Sequence, residues 1–310
     1  MTAVRIHAYG DASVLKYETG VPRPVIAEHD VLVKVHAVAV NPVDWKIREG
    51  YMKDYLKHKL PLILGWDVSG VVEEVGSAVT TLKVGDEVYG LAPMAKDGGY
   101  AEYISVVATA LVQKPKSLSH VEAASLPVAT LTAWNSLFDI AKLQAGQTVL
   151  IHGAAGGVGS MAVQLAKWKQ AKVIGTASAK NAEFLHSLGV DEGIDYTAVP
   201  FEDKVKDADV VFDTVGGETL SRSYAVVKKG GVLITAVGQP SDEEAAKYGI
   251  TAVRCGAVTS EQRLTEIAVL ADAGKIKPLV QTVMPLIEAA DAHRLSQSGR
   301  TRGKIVLQIV

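Results

Sequence analysis

A chain of 310 residues with 48% hydrophobic and 21% charged content is long enough for two packed cores and carries no compositional mark of disorder. Its formal net charge of -2, with no lysine or arginine block, excludes the electrostatic footprint of a nucleic-acid or anionic-membrane binder and points to small-molecule ligands. The single cysteine, Cys255, rules out an internal disulfide, the first residues lack a signal-peptide core and no apolar run reaches membrane-spanning length, so a cytoplasmic protein without membrane insertion is expected.

In chain order, the first third predicts short strands over 4–9, 30–40, 68–75, 87–91, 100–106 and 110–113, the spacing of a small barrel or sandwich. Among them, the charged segment 51–59 reads as a lid. Its two tyrosines, Tyr51 and Tyr55, are candidates to stack on a flat substrate or to donate a proton, with packing against the protein as the alternative. After Lys114-Pro-Lys-Ser the texture changes to an Ala-rich helical stretch near 122–138, then to strands around Val149, Val173, Ile194, Val210, Val232 and Val253 that alternate with helices. That alternation predicts an α/β fold with a doubly wound parallel sheet. The strand-like tail 303–310 is expected to rejoin the first domain, which gives a β-rich domain of 1–121 and 277–310 around a nucleotide-binding domain of 122–276.

The segment 148–160 runs from an apolar strand through Ala154-Ala-Gly-Gly-Val-Gly159 into a helix with apolar residues at Val158, Met161, Ala162, Leu165 and Ala166. It is a variant of the GxGxxG dinucleotide turn, with Ala154 at the first glycine position. Ala155, Gly156, Gly157 and Val158 would cradle a pyrophosphate at the helix N-terminus, and Gly159 would let the helix approach the strand; a turn without a ligand is the alternative. The next strand ends in Thr176-Ala-Ser-Ala-Lys180, with no acid to accept a ribose 2′-hydroxyl. Ser178 can donate to a 2′-phosphate and Lys180 can neutralise it, so NADPH is expected over NADH; otherwise Lys180 is a solvated lysine of the following helix. Lys304, clustered with Arg300 and Arg302, either reaches the cofactor's phosphates or belongs to a solvated turn. His152 is expected to make a local hydrogen bond and Cys255 to act as a small core residue.

Across nearly its whole length the chain resembles the zinc-independent quinone oxidoreductase branch of the medium-chain dehydrogenase/reductase superfamily. The resemblance is carried by Asn41-Pro-Val-Asp-Trp-Lys46, Gly65-Trp-Asp-Val-Ser-Gly-Val-Val72, Gly85-Asp-Glu-Val-Tyr-Gly90, Gly98-Gly-Tyr-Ala-Glu-Tyr103, Ala124-Ser-Leu-Pro127, the glycine turn, Asp213-Thr-Val-Gly-Gly217 and the terminal Gly-Lys-Ile-Val-Leu. It implies a discontinuous GroES-like catalytic domain, an active site in the cleft beside a Rossmann domain, and a homodimer. It also implies Tyr196 beside Ser178 and Lys180, cofactor lining by Gly216, Val237 and Gly238, and a Thr130 hydroxyl that orients the nicotinamide carboxamide or else bonds its own helix. Asn41, Asp44 and Lys46 become candidates to hold the substrate oxygen. Asn41 is the leading one, with contact to the nicotinamide ribose as its alternative.

Where zinc alcohol dehydrogenases carry a Cys and a Gly-His-Glu motif, this chain has Pro42-Val-Asp44 and Gly65-Trp66-Asp67, and its eight histidines form no pair at metal-binding spacing. No metal is expected, and Asp44 and Asp67 read as turn or hydrogen-bonding residues. A reductase without a Lewis acid needs an acceptor that already takes hydride, such as a quinone or an α,β-unsaturated carbonyl. A strict enoyl or alkenal reductase is the neighbouring reading, and an NADPH-binding sensor with little turnover is the reading from another class.

Overall fold

Strands buried on both faces can pair in parallel only where helices cover them, and the apolar runs of the second half of the chain do so. In spatial order the six strands are Glu192–Asp195, Lys172–Ala177, Thr148–His152, Ala208–Asp213, Val227–Thr235 and Thr251–Arg254, all parallel. The order reverses between Thr148–His152 and Ala208–Asp213, the switch point at which such sheets bind ligands. The helix Gly157–Trp168 lays Met161, Ala162, Leu165 and Ala166 into the core, as its spacing predicts.

The computed structural model describes residues 1–310. The chain divides into one unit of Met1–Val128 with Thr259–Val310 and a second of Ala129–Val258. In the first, the long strand Asp30–Val40 pairs with Asp67–Val75 along one edge and with Tyr103–Val107 and Lys304–Gln308 along the other. Glu87–Leu91, Leu111–Gln113 and Val280–Pro285 complete a seven-stranded sheet, and Leu15–Glu18, Ala3–Ile6 and Leu62–Ile63 form a smaller one. No helix is long and apolar enough to cross a membrane.

The expected strand over 4–9 covers only Ala3–Ile6, the strands Leu15–Glu18 and Leu62–Ile63 are absent from the sequence reading, and three further differences from that reading have local causes. The strand expected from residue 100 starts at Tyr103, because the Tyr100 backbone is engaged elsewhere: its N–H donates to Leu64 and its carbonyl accepts from Val4, at 3.0 and 2.7 Å. The helical stretch 122–138 is three pieces, His120–Ala124, Pro127–Trp134 and a π-helix over Asn135–Ile140. Pro127 opens a new helix, where its missing N–H costs nothing, and Ser136 back-bonds to the Thr132 carbonyl at 2.7 Å, a bond that loosens a helix. Finally, the units part at 128/129 and 258/259, whereas the sequence boundaries lie at 121/122 and 276/277. The helix Glu261–Asp272 is held in the first unit by the Tyr89 hydroxyl, which donates to the Leu264 carbonyl at 2.6 Å, and by the N–H of Ser117, which donates to Asp272 at 2.8 Å.

Candidate active site

Register gathers three polar side chains at one end of the seven-stranded sheet. Ala39 lies opposite Asp67 on one neighbouring strand and Val40 opposite Ile305 on the other, so Asn41 sits between Asp67 and Lys304, the first residues of both. Asn41 Nδ2 donates to Asp67 Oδ2 at 2.9 Å, and Lys304 Nζ donates to Asn41 Oδ1 and lies 3.4 Å from Asp67 Oδ2. An ammonium only donates and a carboxylate only accepts, so these partners fix which way the amide faces. One Nδ2 hydrogen is left over. Burial raises the Asp67 carboxyl above its ordinary range, against the pull of the Lys304 ammonium. The reading of Lys304 as a phosphate ligand or a solvated turn residue is therefore corrected: it is buried, because Asp67 would otherwise be a buried charge without a counterion.

Asp44 lies one turn into the helix Pro42–Arg48. Its Oδ2 accepts the Asn41 backbone N–H at 2.8 Å, the return half of a capping box, and also the Tyr100 hydroxyl at 3.1 Å; Oδ1 is buried without a partner. Gly65 makes room for Tyr100: at φ 82 it adopts a left-handed conformation, and a Cβ there would enter the ring. Burial pushes the Asp44 carboxyl up to about 7; the Asp67 charge adds to this, and the Asn41 N–H, Tyr100 and Lys304 oppose it. With 0% of its surface exposed, Asp44 supports Asn41 and is not itself an open donor to a substrate oxygen. Lys46 lies 5.5 Å from the centroid of the Trp45 ring. Neither tyrosine of the segment 51–59 is packed away: Tyr51 leans edge-on to Trp45 and is 69% exposed, and Tyr55, on the single turn Lys53–Leu56, is 83% exposed.

In the second unit the glycine turn has the shape its sequence requires. A Cβ on Gly159 would drive into the Gly153 carbonyl, so the helix starts hard against the turn. Its opening amides, at Gly157, Val158 and Gly159, have no helical carbonyl one turn back and are the kind of N–H groups that a pyrophosphate would accept from, whereas the Gly156 N–H is spent on the Gly153 carbonyl at 2.9 Å. Thr130 is wholly buried with its Oγ1 unpartnered, an orphan that a carboxamide would satisfy. A dinucleotide fits both observations. After the strand Lys172–Ala177, Ser178 begins the next turn, Lys180 is exposed, and the Tyr196 N–H, bonded to the Ala177 carbonyl at 3.3 Å, brings a 61% exposed phenol alongside.

Two residues that the sequence reading gives no role organise the far loops. The buried Asp213 carboxylate accepts the N–H groups of Val215 and Gly216 and the Thr235 hydroxyl, each at 2.9 Å, while Thr235 Oγ1 accepts from Val237 and Gly238 at 3.3 and 3.1 Å. One carboxylate thus sets Gly216, Val237 and Gly238 together. His152 is buried, with ring nitrogens 3.1 Å from Thr176 Oγ1 and from Ser223 Oγ; burial lowers it to about 4, so it is a neutral, local hydrogen-bonding group. Cys255 is only partly buried, with Ser136 Oγ 3.0 Å from its sulfur. No three His, Cys, Asp or Glu side chains stand together as metal ligands, and Trp66, at the histidine position of the zinc motif, is buried with its indole N–H donating to the Lys96 carbonyl at 3.0 Å.

Two family models match the chain, an alcohol dehydrogenase GroES-like domain over residues 27–116 and a zinc-binding dehydrogenase domain over residues 188–307. The 2-methylene-furan-3-one reductase of Solanum lycopersicum is 40% identical, with 96% of this chain and 76% of the relative aligned. The chloroplastic NADPH-dependent alkenal/one oxidoreductase of Arabidopsis thaliana is 37% identical over 96% of this chain and 77% of its own length. The solved structure of the quinone oxidoreductase from Coxiella burnetii superposes with a TM-score of 0.93 at 35% identity, covering 100% of this chain and 99% of the other. A parallel dinucleotide sheet and a split β-rich unit, with these likenesses, define an NAD(P)-dependent oxidoreductase. Within that class the chain belongs to the quinone oxidoreductase branch of the medium-chain dehydrogenase/reductase superfamily.

Proposed function

We propose that the protein is an NADPH-dependent reductase of quinones and α,β-unsaturated carbonyls that works without zinc. The observation that carries this reading is the Asn41 amide, locked between Asp67 and Lys304 with one N–H unspent. When bound, NADPH supplies a hydride. The backbone from Ala155 to Val158 would hold its pyrophosphate, Ser178, Lys180 and Tyr196 its 2′-phosphate, Thr130 its carboxamide, and Gly216, Val237 and Gly238 would line it. Asn41 Nδ2 donates to the acceptor's oxygen as negative charge builds there; a preorganised donor of this kind contributes about 3 kcal/mol in a dry site. Lys46 is the second candidate donor, Tyr51 and Tyr55 cover the substrate, and the proton comes from solvent. We further propose a cytoplasmic homodimer, which size-exclusion chromatography with light scattering would check.

The test is cofactor oxidation across quinones, alkenals, enones and plain alcohols, each run with NADPH and NADH. Turnover of the conjugated acceptors with NADPH is expected, and zinc-dependent oxidation of plain alcohols as the main activity would overturn the proposal. The relatives named for alkenal and furanone reduction favour a narrower carbonyl-conjugated alkene reductase as the second reading. Product analysis separates the two, since that enzyme would leave quinones unreduced.

A further inference from the structure

Behind Asp44 runs a buried chain of hydrogen bonds whose direction is set by chemistry. Arg48, wholly buried, donates from Nε to the Gly10 carbonyl at 3.0 Å and from Nη2 to Glu49 at 2.5 Å and Gln297 at 3.2 Å; its Nη1 lies 3.3 Å from His293 Nδ1. A guanidinium only donates, so Nδ1 of His293 accepts and the ring's proton sits on Nε2. That Nε2 is 3.0 Å from the Tyr100 oxygen, and Tyr100 in turn donates to Asp44 Oδ2. Burial, with the Arg48 charge adding to it, lowers His293 to about 3, which keeps the ring in this neutral tautomer. Every link points toward Asp44. The chain carries no proton current, because Arg48 does not give up a proton; it holds a geometry.

We propose that Tyr100 and His293, backed by Arg48, are positioning residues for the reduction: acting through Asp44, they fix Asn41 at the head of its helix. The proposal rests on Asn41 being the substrate-side donor. The Asp44 oxygen that takes the Tyr100 hydroxyl also takes the Asn41 backbone N–H, and it does so best as a carboxylate. The other ionisable groups facing Asp44 are Asp67 and Lys304 from the strands beside Asn41, with Arg48 and His293 behind Tyr100. Acidification that protonates Asp44 therefore loosens Asn41, and kcat acquires an acidic limb. Removing the Tyr100 hydroxyl takes away a donor that favours the carboxylate, which moves that limb to higher pH.

The experiment is the pH profile of kcat for wild type, Tyr100→Phe and Asn41→Ala, with NADPH affinity measured separately by fluorescence titration. Tyr100→Phe keeps the ring against Gly65 and is expected to lower kcat about tenfold near neutral pH, to shift the acidic limb upward and to leave NADPH binding unchanged. His293→Phe should shift the limb the same way. His293→Gln, which can accept from Arg48 and donate to Tyr100, should recover part of the lost rate. If a His293 variant fails to fold, Tyr100→Phe decides. A Tyr100→Phe enzyme with an unmoved limb, whatever its kcat, overturns the positioning role while loss of activity in Asn41→Ala upholds the reading beneath it. Full activity in Asn41→Ala, or a wild type that reduces no acceptor, overturns both.

Discussion

At the scale of single residues, Asp44 makes a prediction about stability that is separate from catalysis. Its carboxyl is held up to about 7 when folded, against 3.8 for the free side chain, so the folded chain binds more protons across that window. Stability from this group is full below the unfolded value and is lost as pH rises through the folded one. Asp44→Asn removes that dependence while Asp67 stays in both proteins. The variant should gain on wild type as pH rises from about 4 to about 7, by on the order of a few kcal/mol, read from urea unfolding at each pH. Lys180→Ala is expected to weaken NADPH by about tenfold and to leave NADH affinity unchanged in paired titrations. The placement of Ser178 and Lys180 was legible because both directly follow the end of one strand, Lys172–Ala177. Lys304 was not: its sequence neighbours Arg300 and Arg302 suggested a solvated cluster, and its partner Asp67 lies 237 positions away.

At the scale of elements, what could be read locally was read well. Asp30–Val40 and Glu87–Leu91 begin and end at the expected residues, although both are buried along most of their length and do not alternate, and the glycine turn declares itself because strand, turn and helix are contiguous. Gly159→Ala tests that turn: the new methyl meets the Gly153 carbonyl, backbone that cannot step aside, so a loss of about 1–3 kcal/mol is expected, with weakened NADPH binding. Differential scanning calorimetry and titration of the same sample would check it. The Asn41 cluster was illegible for the opposite reason, since two strand registers from distant parts of the chain assemble it. Lys304→Met should cost about 3–5 kcal/mol by leaving Asp67 buried and unpaired. Asp67→Asn added to it should restore part of that loss, and a denaturant double-mutant cycle measures the coupling.

At the scale of the molecule, the alternation of helices and strands revealed a nucleotide-binding sheet set within a split β-rich unit, but not where the chain crosses from one to the other. Periodicity says that Glu261–Asp272 is a helix; only the bonds to Leu264 and Asp272 say which unit it serves. Tyr100 and His293 escaped notice for a similar reason, being 193 positions apart. Lys304–Gln308, the last strand, pairs with Asp30–Val40, which gives the order of synthesis a consequence. A nascent polypeptide that has not yet reached Lys304 lacks the ammonium that bonds the Asn41 amide and balances the Asp67 carboxylate, so this buried cluster assembles only after translation has passed residue 304.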